Sequence, residues 1–342
     1  MKEWRQRILR KQIRSFLKNW KERTIVGLVA ENRPSDRVVA LRPKEIKRLT
    51  DLGIEAVIET NAGKGVGFDD KDYIVAGATI VDRLTAYKSS LVVRINEISR
   101  NELEMMIPGN ISMSMLHHEG VPQRKIDLEE KLIVGVELDS ITDDFGKRAV
   151  YLWELTAENG MKLGYQLSER KPEECVVKLL GYGNLARGAM TYAARAGSDV
   201  IVLNKKQMKE IEKHLPGTDI LVNCVNWPLE KRGKELIITR EQIRKFMRQG
   251  SVIVDLVVNP LGDSPIETCR PTFLDNNQYQ EEGVWHTCCW GWPNYDPEKA
   301  SEMYSKLIVP HIIEIIAKGP LNVGENIKRA YVNIEALNKI YY

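Results

Sequence analysis

Val176-Val177-Lys178-Leu179-Leu180 runs without a break into Gly181-Tyr182-Gly183-Asn184-Leu185-Ala186-Arg187-Gly188-Ala189, and a helical pattern continues through Ala196. An apolar strand, a glycine turn and a helix in that order form the opening of a dinucleotide-binding βαβ unit. Gly181 allows the tight turn, Gly183 lets a pyrophosphate approach the backbone, and Ala186 takes the place of the third glycine. The negative charge then rests against the amides that open the helix, at Asn184, Leu185 and Ala186. A second strand, Asp199–Leu203, follows at the spacing of a unit of about thirty residues.

That second strand ends at Asn204-Lys205-Lys206, about twenty residues past the glycines, where NAD-binding domains place Asp or Glu on the ribose 2′-hydroxyl. No carboxylate stands there. A neutral Asn204 with Lys205 and Lys206 suits a 2′-phosphate, so NADP(H) is favoured over NAD(H); a solvated helix start is the plainer alternative. Val225, Asn226 and Trp227 follow the strand Asp219–Cys224 and so sit at the carboxyl edge of the sheet, where ligands collect.

The pattern around the motif is that of an α/β protein with two α/β domains. Strands are expected at Ile25–Val29, Ala56–Glu59, Leu91–Ile95, Ile111–Met115 and Leu132–Val136, with a glycine-rich loop at Gly63, Gly65 and Gly67. A helix is expected over Tyr151–Leu167, and the charged stretch Ser168–Glu174 with Pro172 reads as a joint. The second unit takes strands Cys175–Leu180, Asp199–Leu203, Asp219–Cys224 and Ser251–Asp255. Helical patterns at Pro297–Ala317 and Asn322–Ile340 are too apolar on one face to stand alone and are expected to pack on the first domain.

At 342 residues, 43% hydrophobic and 28% charged, the chain can bury two ordinary cores. Residues 1–23 carry nine Lys/Arg against two Glu, a net of +7 in a chain whose total is +3, which leaves −4 on the remainder. A mildly acidic body argues against a nucleic-acid partner. Trp4, Ile8, Leu9, Ile13, Phe16, Leu17 and Trp20 give segment 1–23 the stripe of a basic amphipathic helix. It would dock on the body or a neighbouring subunit, or contact an acidic membrane surface. Without an apolar signal core or spanning run, a cytoplasmic location is expected. The five cysteines lack CxxC spacing, so reduced thiols and no metal site are expected.

Several stretches then resemble the alanine dehydrogenase and pyridine nucleotide transhydrogenase N-terminal family. Ile25–Leu28 through Arg37-Val38-Val39-Ala40-Leu41-Arg42-Pro43 is similar to its first strand and Arg-Val-Ala-x-x-Pro signature. Glu59–Phe68 is similar to its glycine loop, Gly109–His117 to the strand bearing its substrate-side histidine, and Val252–Asp255 with Glu267–Thr272 to its late segments. The resemblance implies a Rossmann domain (151–290) inserted in a discontinuous substrate domain (24–150 and 291–342), with segment 1–23 added as a helix. It implies His117 as the acid, Arg37 as the substrate arginine, and Thr156, Asn259 and Trp290 beside the cofactor.

Two departures narrow what the resemblance implies. Where alanine dehydrogenases read Lys-Val-Lys-Glu, this chain reads Arg94-Ile95-Asn96-Glu97, and the aspartate facing the nicotinamide becomes Asn259. Within the family the chain is most similar to the N5-(carboxyethyl)ornithine synthase branch, which condenses pyruvate with an amino-acid amine. The chemistry expected is reduction of an imine made from a 2-oxo acid and an amino acid. His117 would be the proton donor, its ordinary pKa lying near working pH, and Arg94 would fork onto a carboxylate. Alanine-type dehydrogenation releasing ammonia, and a non-catalytic dinucleotide-binding scaffold, are the alternatives; the partners expected are small molecules and, for an oxidoreductase, further copies of the chain in a homo-oligomer.

Overall fold

The structure, a computed structural model, describes residues 24–33, 35–257 and 263–336. The amphipathic segment 1–23 and Asn259 lie outside the described residues. The chain divides into two compact α/β units. One runs to Tyr151 and resumes at Pro297, and the other is Leu152–Asp296.

In the first unit β1 (Ile25–Leu28), β2 (Glu55–Glu59), β3 (Thr79–Val81), β4 (Leu91–Val93), β5 (Ile111–Ser114) and β6 (Val134–Glu137) pair in parallel. Their order is β3-β2-β1-β4-β5-β6. The direction of winding reverses between β1 and β4, and at such a reversal a crevice opens beyond the carboxyl ends of the strands. The second unit holds β7 (Val176–Leu180), β8 (Asp199–Leu203), β9 (Ile220–Asn223), β10 (Val252–Asp255), β11 (Tyr279–Glu281) and β12 (Val284–Thr287) in the order β11-β12-β10-β9-β7-β8. Its reversal falls between β7 and β9. Most of these strands are buried on both faces, which is why their sequences read as unbroken apolar runs rather than alternating ones.

Helix packing supports each crevice. The Trp153–Ser168 helix lies against β10 and against the Asn184–Arg195 helix. It does so through small residues: a Cβ at Gly160 would stand 2.3 Å from Leu256 Cδ2, and one at Gly188 2.9 Å from Ala157 Cβ. The Pro297–Lys318 helix closes the first unit, its Ser301 Oγ accepting from Val39 N and its Ser305 Oγ accepting from Arg42 N. No helix among the described residues is long and apolar enough to cross a membrane.

The expected Asn322–Ile340 helix is not what forms. A short helix at Glu325–Lys328 gives way to β13 (Tyr331–Val332), which pairs antiparallel with β6. Asn333, at φ +64, then turns the chain and donates to Leu128 O and Ile133 O. An aromatic and a β-branched residue beside an open sheet edge gain more from pairing than from a helical turn. The β11–β12 hairpin was also hidden in the sequence. Its loop is Glu282-Gly283, both at positive φ, the geometry of a two-residue turn.

Candidate active site

The Rossmann unit presents its glycine turn at the carboxyl end of β7. Gly181 sits at φ +93, a conformation that favours glycine. Gly183 is the N-cap of the Asn184–Arg195 helix, and no side chain caps that end. A Cβ built on Gly183 would meet nothing within 4 Å. The uncapped amides of Asn184, Leu185 and Ala186 therefore lie beside bare backbone at Gly183. Amide donors at a helix N-terminus and bare backbone beside them fit a diphosphate.

At the carboxyl end of β8, Asn204 has a different task from the one its position suggests. Its Oδ1 accepts from Lys206 N at 2.9 Å and Gln207 N at 3.1 Å, and Gln207 returns a bond to Asn204 N. Asn204 is the cap of the Lys205–Lys209 helix. Lys205 lines a cavity of about 560 Å³ together with Lys209, Val225, Asn226, Trp227 and Lys231. Lys206 is not among the lining residues. Glu235, also on the wall, is ion-paired with Lys231 at 2.8 Å. The Trp227 indole N–H is buried without a hydrogen-bond partner, and the Lys231 ammonium stands 5.3 Å from its ring centre. Lys209 and Lys231 carried no sequence signal, because they meet only when the segment after β9 folds beside the Lys205–Lys209 helix.

The tryptophans near the end of the unit separate into two roles. Trp292 is 3% exposed and its indole N–H donates to Asp255 O, so it belongs to the core. Trp290 is half-buried, held through its backbone by Thr272 O. Thr156 is half-buried on the Trp153–Ser168 helix. Asp255 lies with Cys269 and Cys288 in a buried group whose ligand atoms fall within 4.8 Å of one another. The Asp255 carboxylate is already engaged by Asn223, Val257 N and Ser264, and burial pushes the Cys269 thiol up, which keeps it protonated.

In the first unit the carboxyl ends of β1, β4, β5 and β6 bring together Glu31, Arg94, Asn96, His117 and Asp139. Arg94 does not reach for substrate. It is fully buried, and its guanidinium donates to Tyr87 Oη (3.0 Å), Glu102 Oε1 (2.7 Å), Glu31 Oε2 (3.3 Å) and Asn32 Oδ1 (3.0 Å). Both terminal nitrogens are engaged and Nε is buried without a partner, so the guanidinium presents no fork to a ligand, and the substrate role expected for Arg94 gives way to a structural one. Replacing it by Leu strands the buried Glu31 without a counter-charge and leaves Glu102 to Arg83 alone. Urea unfolding of Arg94→Leu should show a loss of about 3–5 kcal/mol; an unchanged midpoint would refute the structural role.

Asn96 donates from Nδ2 to Glu31 Oε2 (3.1 Å) and Asp36 Oδ2 (2.8 Å). Glu97 pairs with Arg33 and Arg124. Arg37 is exposed on the segment after β1, and its backbone is pressed so closely on Gly65 that a Cβ there would stand 2.5 Å from Arg37 O. His117, just past β5, sits at φ +48, with its carbonyl accepting from Gly120 N and Val121 N. Its Nδ1 lies 2.7 Å from Asp139 Oδ2. His118 is held separately by Glu137, through its backbone N–H and through Nδ1 at 2.9 Å. Sequence reasoning missed Glu31 and Asp139.

Two family models match the chain: the alanine dehydrogenase/PNT N-terminal domain over residues 27–157 and the alanine dehydrogenase/PNT C-terminal domain over residues 171–338. The chain belongs to the alanine dehydrogenase/PNT family. Among its relatives, alanine dehydrogenase 1 of Staphylococcus aureus (strain Mu50) is 26% identical across 92% of this chain and 95% of its own length. A solved L-alanine dehydrogenase superposes with a TM-score of 0.77 at 20% identity, over 93% of this chain and all of that one. A transhydrogenase from Sinorhizobium meliloti superposes at 0.73 with 18% identity, over 86% of this chain and 95% of its own. These likenesses establish the same two-unit fold. As a member of the family the chain is an oxidoreductase that uses a nicotinamide dinucleotide.

Proposed function

We propose that the chain is an NADP(H)-dependent oxidoreductase that reductively joins a 2-oxo acid such as pyruvate to the amine of an amino acid, as N5-(carboxyethyl)ornithine synthase does. The observation that carries this reading is Asn96 tethered between Glu31 and Asp36. Where alanine-type enzymes place a lysine for the substrate carboxylate, this sheet end offers an amide and carboxylates. Glu31 is already paired with Arg94, so it is the Asp36 carboxylate beside Asn96 that suits an amino-acid substrate bearing a positive charge, whose reacting amine attacks in its deprotonated form.

The reaction begins with attack of the amine on the oxo acid's carbonyl and loss of water, which gives an imine. When bound, the nicotinamide supplies the hydride that reduces it. His117 holds and exchanges the proton, being a half-exposed imidazole on a fixed backbone. Arg37 is the guanidinium assigned to the oxo acid's carboxylate. Gly181, Gly183 and the amides of Asn184, Leu185 and Ala186 seat the diphosphate, with Asn226 and Val225 beside it. For the 2′-phosphate, Lys205 and Lys209 supply charge from one helix while Lys231 approaches from the segment after β9.

A second reading, amino-acid dehydrogenation that releases ammonia, draws support from the alanine dehydrogenases that match almost the whole chain. One assay separates the two. With NADPH and pyruvate held constant, ornithine should drive cofactor oxidation at least about tenfold faster than equimolar ammonium, a difference of about 1.4 kcal/mol, and mass spectrometry should find the secondary amine. Equal rates would favour the ammonia-releasing enzyme. Tenfold tighter binding of NADH than NADPH would overturn the cofactor preference alone.

A further inference from the structure

Two histidines stand side by side after β5, and each is met by its own carboxylate from the end of β6, two residues apart. His118 faces Glu137, whose side chain is 3% exposed and is also the acceptor for Ser140 Oγ. His117 faces Asp139, at the 3-10 turn Leu138–Ser140 that follows β6. The two pairs differ in what the carboxylate serves. Glu137 fastens a backbone N–H, a ring and a hydroxyl, which makes it a local brace. Asp139 turns Oδ2 to the His117 ring at 2.7 Å while its Oδ1 is buried without a hydrogen-bond partner.

From these contrasts the geometry points to Asp139 as the positioning residue for His117: it accepts the Nδ1 proton, fixes the ring's orientation and tautomer, and confines proton exchange with substrate to Nε2. This rests on the proton-carrying role proposed above for His117. A carboxylate kept in a mostly buried place with one oxygen unsatisfied is costly, and such a cost is retained where the remaining bond matters. The backbone at His117 adds to this. A histidine at φ +48 whose carbonyl receives two amide hydrogens has a fixed backbone, so the ring's place is left to its side-chain torsions, which the Asp139 bond sets. Burial pushes the Asp139 carboxyl up, but the hydrogen bond and charge of His117, with Arg148, bring it below the ordinary carboxylate range. It is therefore ionised when His117 needs a counter-charge. Arg148 and Tyr304 are the other titratable groups that interact with it.

The test has one arm that needs no substrate. In the full chain labelled with 15N-histidine, the His117 resonance should report the tautomer protonated at Nδ1 when the ring is neutral; the Nε2-protonated tautomer would overturn the assignment. The second arm is kinetic. Asp139→Asn should lower kcat about 10- to 100-fold with the KM for NADPH within twofold. The high-pH loss of reductive turnover should move to lower pH, because the imidazolium has lost its counter-charge, and Asp139→Glu should restore part of both. A folded Asp139→Asn protein with wild-type kcat and pH profile would refute the role. Should no oxo acid and amine pair turn over at all, the proposed reaction fails, while the tautomer measurement still decides Asp139.

Discussion

His117→Ala lowers kcat for reductive turnover by about 10²–10⁴-fold, the range that loss of a positioned general acid produces, while NADPH binding stays within twofold. The separation follows from the chain's division. His117 belongs to the unit built on β1 to β6, and the glycine turn belongs to the Rossmann unit, so removing an imidazole leaves every diphosphate donor in place. His118→Ala is the matched control. It removes a ring that Glu137 holds, while the backbone N–H at 118 and Ser140 Oγ still reach that carboxylate, so its expected cost is to stability, about 0.5–1.5 kcal/mol for one lost hydrogen bond. Single-turnover measurements with NADPH, run beside urea unfolding of both variants, read the two effects independently. A large kcat loss in the His118 variant with none in the His117 variant would reverse the assignment.

The architecture was readable where it depends on local pattern. Apolar runs such as Val176–Leu180, broken only by Lys178, and Val252–Val254 suit strands buried on both faces, and the paired glycines Gly181 and Gly183 suit a turn rather than a helix or strand interior. Residue roles were harder. Arg94 at a strand end looks like a ligand-binding arginine until Glu31 and Glu102 are seen to converge on it, and no spacing rule links residues 63 and 8 positions away. Asp139 escaped for the same reason, lying in the turn that follows β6, 22 positions from His117.

Asn204 is the opposite case. Asn204 with Gln207 three residues on is a helix-capping pattern legible in the sequence, but the position it occupies after β8 drew attention to a ribose instead. The lysines show how the same region can still serve a phosphate. Lys205 and Lys209 are one helical turn apart and share a cavity wall, and Lys231 joins them through the fold of the intervening strand and loop, so neither Lys209 nor Lys231 could be assigned there from the sequence.

The two motif glycines should fail in opposite ways when replaced, and the contrast tests the cofactor site directly. Gly183 has φ −90 and ψ −167, open to any L-residue, and its Cβ position meets nothing within 4 Å, so Gly183→Val should fold, losing no more than about 1 kcal/mol for a poorer helix cap. The added side chain covers the surface where the diphosphate must touch backbone. NADPH affinity measured by calorimetry should fall at least about 100-fold, equivalent to about 2.8 kcal/mol. Gly181, at φ +93, has its Cβ position 3.3 Å from Cys224 O and Val225 Cγ2. Gly181→Ala should therefore lose about 1–2 kcal/mol of stability to backbone strain alone, visible as a lower urea midpoint. A folded Gly183→Val protein that binds NADPH as tightly as the parent would mean that the dinucleotide sits elsewhere.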